Sequence, residues 1–347
     1  MRLPRRLTAA HFFPLFYYLR GYGQSSIMIS MIRKNNYIYK YILIIVVFIL
    51  LFPGISAAKG EPKIGLALGE GGARGFAHIG VIKILEKEGI NIDYIAGTSI
   101  GSLVGALYAL GFPIEKIEDI LLKEDFTEYI TFENMQFELE QKQNKNVLGF
   151  SINLPKILVN PSWPRGLIST TGIRDKFDSI SNWAHFEYDL KIPFKAVATD
   201  LISGEKIIMD KGKVSNAVAA SISIPGMFSP FEFEDKLLVD GGLKDPVPVD
   251  VVRQMGADII IAVSLRGIKD EKKDSYDIFS IAERSIDIMI EDLTEPSLVD
   301  ADFVIAPEYE GKVSLLMKEK ERVKIIEVGK DEALKKIAEL KEIIANY

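Results

Sequence analysis

The chain has 347 residues, of which 48% are hydrophobic and 26% charged, with a net charge of −6 and no cysteine. This composition excludes a disordered or collagen-like chain, and the lack of cysteine excludes disulfide scaffolds, cysteine nucleophiles and thiolate metal sites. Residues 1–58 carry seven basic side chains and no acidic one, so the remaining chain has 35 basic and 48 acidic residues; because so acidic a body repels phosphate backbones, no nucleic-acid partner is expected.

The first 58 residues have the pattern of an export signal. An unbroken apolar run, residues 41–52, follows a basic flank and precedes Pro53 and the small residues 56–58, which suit a signal peptidase. Twelve helical residues span about 18 Å, less than the roughly 30 Å hydrocarbon core of a bilayer. Residues 1–58 are therefore predicted to be a leader with a signal peptide, a buried core helix being the alternative. The body, 59–347, is predicted to be exported across the cytoplasmic membrane to the periplasm or the medium, either cleaved or anchored by the retained segment.

The body alternates between strand-like and helix-like patterns. Apolar runs at Ile64–Leu68 and Ile92–Ala96 are followed by helical spacing at Phe76–Glu88 and Ser99–Leu110, and two such units predict a parallel sheet covered by helices. Residues 124–169 have no clean period and predict a lid-like insert within one domain. Further strands are predicted at Phe194–Ala198, Lys206–Met209, Lys236–Val239, Ile259–Val263 and Phe303–Ile305, and further helices at Ile114–Lys123, Thr171–Ser181, Val214–Ser221, Val249–Met255, Asp277–Asp292 and Arg322–Asn346.

A glycine-rich loop, residues 69–75, follows the first predicted strand and precedes a helix. Backbone amides in such a turn form an anion site for a phosphate or an oxyanion. A dinucleotide fingerprint would need glycine where Arg74 stands, and no Gly-Lys-Ser/Thr ends the loop, so a nucleotide site is disfavoured. The loop is instead predicted to form an oxyanion hole, whose candidate residues are Gly71, Gly72, Ala73 and Arg74, with Gly75 in support.

The cation of Arg74 stands at a helix start, where it opposes the helix dipole by about 0.3–1 kcal/mol. A compensating anion is expected, either a carboxylate partner or a lipid phosphate. A solvated arginine that tolerates this modest cost is the equal alternative.

The sequence Gly97-Thr98-Ser99-Ile100-Gly101 is a Gly-x-Ser-x-Gly between a predicted strand and a predicted helix. Such a strand–turn–helix elbow exposes a serine hydroxyl and needs small residues on both sides to avoid clashes. The alternative is a helix N-cap formed by Thr98 or Ser99. Because capping requires no flanking glycine, Ser99 is predicted to be a nucleophile, with Gly97 and Gly101 in support.

A serine nucleophile needs a proton acceptor, and histidine is the usual one. Of the three histidines, His11 lies in the leader, His78 on the first predicted helix and His185 in a loop-like stretch. His78 is expected to be partly buried and structural. None of the three is predicted to be the base.

The best acceptor is Asp240, in Asp240-Gly241-Gly242, directly after the predicted strand Lys236–Val239. The two glycines allow a close approach of the backbone, so this carboxylate can reach a serine from a neighbouring strand end. An ordinary Asp-Gly-Gly turn is the alternative.

These three elements, in this order, resemble the patatin-like phospholipase family, and its bacterial single-domain branch fits best. The stretch Ala219–Pro230 resembles the family's remaining block, and the similarity covers about residues 63–265. The resemblance implies an α/β fold of three α/β/α layers with a mostly parallel central sheet, and a Ser99–Asp240 dyad without histidine. It implies no metal and no cofactor. Glu70 is a departure, because many relatives carry glycine there, and it affects how the loop enters its turn.

The resemblance therefore predicts a serine acyl-ester hydrolase of the phospholipase A or lysophospholipase type. Its predicted substrate is a lipid or membrane surface, and the sequence does not identify protein partners. An esterase or thioesterase acting on soluble substrates, and a catalytically silent regulatory relative, are the alternatives.

Overall fold

The computed structural model of the protein describes residues 60–123, 169–270, 278–311, 313 and 317–347. The predicted leader, with its apolar run 41–52, lies outside the described residues, as does the lid-like insert apart from Ser169. The residues from Pro62 to Tyr347 form one compact unit. Among the described residues, no helix combines the length and the apolar character needed to cross a bilayer.

An eight-stranded sheet forms the centre of this unit. The described strands are β1 (Ile64–Leu68), β2 (Tyr94–Thr98), β3 (Phe194–Asp200), β4 (Lys206–Met209), β5 (Phe231–Phe233), β6 (Lys236–Asp240), β7 (Ile259–Val263), β8 (Ile268–Asp270), β9 (Phe303–Ile305) and β10 (Tyr309–Gly311). The sheet order is β5-β6-β3-β2-β1-β7-β9, with β4 also paired to β3, while β8 and β10 form a separate parallel pair. The run β3-β2-β1-β7-β9 is parallel, and β4, β5 and β6 join by antiparallel pairs.

Helices cover both faces of the sheet. The described α-helices are α1 (Phe76–Lys87), α2 (Ile100–Ala109), α3 (Ile114–Lys123), α4 (Thr170–Ser181), α5 (Val214–Ser221), α6 (Val249–Met255), α7 (Ile278–Leu298) and α8 (Glu319–Asn346). Successive strand residues point to opposite faces. Leu66 and Leu68 therefore pack into the larger core cluster, which includes α1 and α2, while Ala67 packs with Val249 and Val252 of α6. This arrangement confirms the predicted three-layer α/β/α architecture with a mostly parallel central sheet.

Several predicted boundaries differ from the structure. The second strand is Tyr94–Thr98 rather than Ile92–Ala96, and the helix predicted from Asp277 to Asp292 begins at Ile278 and ends at Leu298. That helix continues past Pro296 because a proline in the last turn removes only one hydrogen bond. The sequence does not predict β5, β8 or β10, since three residues are too few to establish a period of two. The strand β9 is equally short, but it is predicted because all three of its residues are apolar.

The C-terminal helix α8 packs closely on α1, although it lies beyond the residues that carry the resemblance. A Cβ atom on Gly80 of α1 would collide with the carbonyl of Ile326, and one on Gly329 of α8 would collide with the carbonyl of Ala77. The two backbones are therefore in direct contact at a pair of glycines. Ile326 is fully buried there.

Replacing Gly329 by alanine should destabilise the protein, because the added methyl group forces these two backbones apart. Overpacking of this kind costs about 1–3 kcal/mol in the free energy of unfolding, which urea denaturation measures. The control is Glu339→Ala, an exposed change on the same helix, which should stay within about 0.5 kcal/mol of the wild type. Equal effects of the two substitutions would contradict this packing.

Candidate active site

Ser99 lies on a strained turn between β2 and α2. Its backbone has φ 53° and ψ −125°, in the left-handed half of conformational space that costs a non-glycine residue about 1–3 kcal/mol. A Cβ on Gly97 would collide with the backbone of Gly101 and Ser102, and one on Gly101 with the carbonyls of Leu68 and Gly69. The two glycines of the motif are required because the turn leaves no space for side chains.

Neither residue proposed as a helix cap performs that role. The Thr98 hydroxyl donates to the carbonyl oxygen of Asp245, at 2.8 Å. The Ser99 side chain makes no capping hydrogen bond to α2. The N-cap alternative is therefore wrong for both residues, and the Ser99 hydroxyl is directed elsewhere.

The Ser99 hydroxyl donates to the carboxylate of Asp240, with 2.5 Å between Oγ and Oδ2. The other carboxylate oxygen, Oδ1, accepts from the amide of Gly242 at 2.8 Å. Asp240 is the last residue of β6 and pairs with Ala198 of β3. The strand therefore ends one residue later than predicted. A Cβ on Gly241 would collide with the backbone of β3, so glycine is what lets the chain turn here.

Burial raises the pKa of Asp240 to about 6, while its hydrogen bonds from Ser99 and Gly242 act in the opposite direction. Only 5% of Asp240 and 3% of Ser99 are exposed. An aspartate with this pKa is mostly ionised at neutral pH and is a stronger base than an unperturbed one, whose pKa is about 3.9. Asp240 can therefore accept a proton from the hydroxyl of Ser99.

The glycine loop begins at the end of β1, and its first two amides are fixed in the fold. The amide of Gly69 donates to Val263 at 3.0 Å, and that of Glu70 donates to Pro246 at 2.8 Å. Residues Gly72–Gly75 then form a 3-10 turn that leads into α1. This anchoring holds the loop at the end of the sheet where β1 and β2 both finish.

The amides predicted to bind an oxyanion divide into two groups. That of Arg74 donates to the carbonyl of Gly71 at 3.0 Å, so the turn itself already uses it. Those of Gly71, Gly72 and Ala73 have no acceptor among the described residues. Three of the four predicted donors therefore remain available to an anion.

The loop lies directly beside the serine turn. A Cβ on Gly75 would collide with the side chain of Ile100, the residue after Ser99. Gly75 thus allows the 3-10 turn and the serine turn to touch. The structure brings Ser99, Asp240 and this loop together at one end of the sheet.

Arg74 has a carboxylate partner. One of its guanidinium nitrogens lies 3.2 Å from Asp287 Oδ2 on α7, a residue that no sequence motif indicates. The alternative of a solvated arginine is wrong, since Arg74 is only 21% exposed. Its Nε is buried and has no partner in the part of the chain that the structure describes.

Neither of the described histidines is hydrogen-bonded to Ser99. His78 is fully buried, its Nε2 lies 2.8 Å from the carbonyl oxygen of Gly69, and burial lowers its pKa to about 4. Neutral at physiological pH, His78 donates to that carbonyl and helps to hold the loop. His185 lies at the surface, 3.8 Å from Glu187, and His11 lies outside the described residues. Within the described ranges, no group of three or more acidic or histidine residues is suited to a metal ion.

Ser221 is a functional contact that the motifs did not predict. Its hydroxyl accepts from the amide of Ser99 at 2.9 Å and donates to the carbonyl of Val197 at 2.6 Å. It lies in the Ala219–Pro230 block, which carried the resemblance without indicating a role for this residue. Ser221 therefore links the strained turn to β3.

Comparisons with known proteins match the part of the chain that contains Ser99, Asp240 and the glycine loop. A family model described as patatin-like phospholipase matches residues 66–253. An uncharacterized NTE family protein of Mycobacterium tuberculosis is 36% identical over 209 residues, which are 60% of this chain and 51% of that protein. The lysophospholipase NTE1 of Candida albicans is 32% identical over 226 residues, 65% of this chain and 15% of that protein. The chain thus spans about half the length of the mycobacterial relative and far less of the fungal one.

Two solved structures are also similar. VipD from Legionella pneumophila has a TM-score of 0.46 at 16% identity, over 79% of this chain and 66% of that one. The type III effector protein ExoU has a TM-score of 0.40 at 12% identity, over 79% and 52% of the two chains.

Replacing Ser221 by alanine should destabilise the protein, because it leaves the buried amide of Ser99 without an acceptor. The expected loss is about 1–3 kcal/mol in the free energy of unfolding. Ser285→Ala is the control, since that serine is exposed and bonds only within its own helix. If thermal or urea unfolding finds both variants equally stable, Ser221 does not support the turn.

Proposed function

The chain belongs to the patatin-like phospholipase family, and from this premise we propose that it is a serine hydrolase of acyl esters in lipids, of the phospholipase A or lysophospholipase type. The observation that carries the proposal is the 2.5 Å contact between Ser99 and Asp240. The name of the fungal relative, a lysophospholipase, supports a lipid ester as the substrate.

In the first step, Ser99 Oγ attacks the carbonyl carbon of the ester while its proton moves to Asp240 Oδ2. The carbonyl oxygen becomes an oxyanion, to which the amides of Gly71, Gly72 and Ala73 donate. A donor of this kind contributes about 2.7–4 kcal/mol to transition-state stability. The ester C–O bond then breaks, and Asp240 gives its proton to the departing alcohol oxygen.

In the second step, water attacks the acyl-serine. Asp240 accepts a proton from the water, the same amides hold the second oxyanion, and the proton returns to Ser99 Oγ as the fatty acid leaves. Asp240 must be ionised in the resting enzyme. Because its pKa lies near 6, activity should fall as the pH drops below that value.

This pair needs no histidine, because burial supplies the basicity that a histidine would otherwise provide. An aspartate at its ordinary pKa is a poor base at neutral pH. The buried contact with Ser99 and the free amides of the loop together support a mechanism based on positioning and oxyanion stabilisation.

We also propose that residues 59–347 act on a lipid surface outside the cytoplasmic membrane. The supporting pattern is the basic flank, the apolar run 41–52 and the small residues 56–58.

Ser99→Ala and Asp240→Asn should each reduce hydrolysis of vesicles made from a mixed bacterial lipid extract by at least about 10⁴-fold, because each removes one half of the proton transfer. The matched controls are Ser215→Ala, a buried serine hydroxyl without a partner in the described structure, and Asp245→Asn, whose carboxylate faces Lys206. Mass spectrometry of the released products measures the rates, and circular dichroism checks folding. Retention of more than about a tenth of the activity in either site variant would contradict the proposed dyad.

The substrate class is tested by comparing vesicles with soluble short-chain esters and thioesters under the same conditions. A lipid hydrolase should release fatty acid from vesicles with the higher kcat/KM. A preference for soluble esters identifies the esterase alternative. Failure of the intact protein to hydrolyse any ester, or to be labelled by a fluorophosphonate at Ser99, identifies a silent relative.

A further inference from the structure

Thr98 is the last residue of β2 and the last that the sheet holds before the nucleophile. Its backbone pairs with Val197 of β3, while the next residue, Ser99, already has the strained backbone of the turn. The Thr98 side chain is fully buried, and its hydroxyl donates to the main-chain carbonyl of Asp245 at 2.8 Å. This contact joins the serine turn to a part of the chain 147 residues away.

The carbonyl that Thr98 contacts belongs to the segment that follows the base. This segment, residues 241–246, is called the base turn here, and it leaves the sheet directly after Asp240. The carbonyl of Gly241 accepts the amide of Asp245 at 2.9 Å, which closes the base turn on itself, and only 5% of Asp245 is exposed. Because the base turn is short and internally bonded, a displacement at Asp245 is passed on to Asp240.

The base turn also holds the glycine loop. The amide of Glu70 donates to the carbonyl of Pro246, the last residue of the base turn, at 2.8 Å. Glu70 immediately precedes Gly71, the first of the amides available to an oxyanion. The base turn therefore begins at the base, and its far end is bonded both to the serine turn and to the glycine loop.

The alternation of side chains along β2 explains why Thr98 faces the base turn. Every second residue of a strand lies on the same face of the sheet. Ala96, two residues before Thr98, packs in the core cluster that contains Val247 and Val249, which follow directly after the base turn. The Thr98 hydroxyl is thus the polar end of a face that is otherwise apolar.

We propose that Thr98 is a positioning residue for the reaction: its hydroxyl bonds the serine turn to the base turn and so fixes Ser99, Asp240 and the glycine loop at the separations that acyl transfer needs. This inference rests on the proposed function. Such positioning acts on the chemical step, because a misplacement of about 1 Å can lower a rate about 100-fold. Only the main chain of Asp245 takes part, so Asp245→Asn keeps the contact.

The first test compares the kinetics of Thr98→Val and Thr98→Ser on vesicles made from a mixed bacterial lipid extract. Valine has the branched shape of threonine without a donor, whereas serine keeps the hydroxyl. Thr98→Val should lower kcat about 10- to 100-fold with KM unchanged within about twofold, and Thr98→Ser should stay within about threefold of the wild-type kcat. Should the valine variant not fold, Thr98→Ala removes the same donor without overpacking, and the same loss of kcat is expected.

The matched control is Thr294→Val. Thr294 is a buried threonine of α7 whose hydroxyl bonds to the carbonyl of Ile290 in its own helix, so its removal should leave kcat at the wild-type value. A wild-type kcat in the donor-less Thr98 variant, or a loss that Thr98→Ser shares in full, would overturn the proposal.

Hydrogen exchange of the folded protein, followed by mass spectrometry, provides a second measurement that does not depend on catalysis. In Thr98→Val, peptides that contain the amides of Glu70 and Asp245 should exchange at least about tenfold faster, while those from α8 should keep the wild-type rate. An equal acceleration in all peptides would mean that Thr98 contributes only to global stability, which would also overturn the proposal.

The two measurements separate this inference from the proposed function. An active wild type whose kcat survives in Thr98→Val rejects only the role of Thr98. A wild type that hydrolyses no ester and is not labelled by a fluorophosphonate at Ser99 rejects the proposed function, and the role of Thr98 in the reaction with it, even if the exchange rates differ.

Discussion

The hydrogen bond between Ser99 and Asp240 joins two residues that are 141 positions apart, and it depends on the register of three strands. Thr98, at the end of β2, pairs with Val197 of β3, and Asp240, at the end of β6, pairs with the next residue, Ala198. The two strands thus end on either side of β3, about two strand spacings, or roughly 10 Å, apart. A shift of one residue in either pairing would turn a side chain to the other face of the sheet.

The packing around this bond makes it chemically useful. Glycines occupy the places where the chain at Ser99, at Asp240 and in the 3-10 turn approaches neighbouring backbone or side chains, and Ser221 accepts from the strained amide of Ser99. The resulting burial raises the pKa of Asp240 and leaves only 3% of Ser99 exposed.

The sequence predicted those parts of the structure that local patterns determine. Apolar runs beside glycine turns indicated β1 and β2, and the order of motifs indicated Ser99 and Asp240 as one site. The engagement of the Arg74 amide was not predictable, because it depends on how the 3-10 turn closes. The ion pair between Arg74 and Asp287 depends on how α7 packs, a tertiary arrangement for which no local pattern exists.

A crystal structure of the protein after reaction with a fluorophosphonate would test whether Ser99 is the nucleophile and whether the loop amides bind the oxyanion. We expect a phosphonyl group bonded to Ser99 Oγ, with one phosphonyl oxygen roughly 2.7–3.1 Å from the amide nitrogens of Gly71, Gly72 or Ala73. Asp240 should remain beside the modified serine. A phosphonyl group on another residue, or one on Ser99 whose oxygens face away from all three amides, would contradict the proposed roles of Ser99 and the loop.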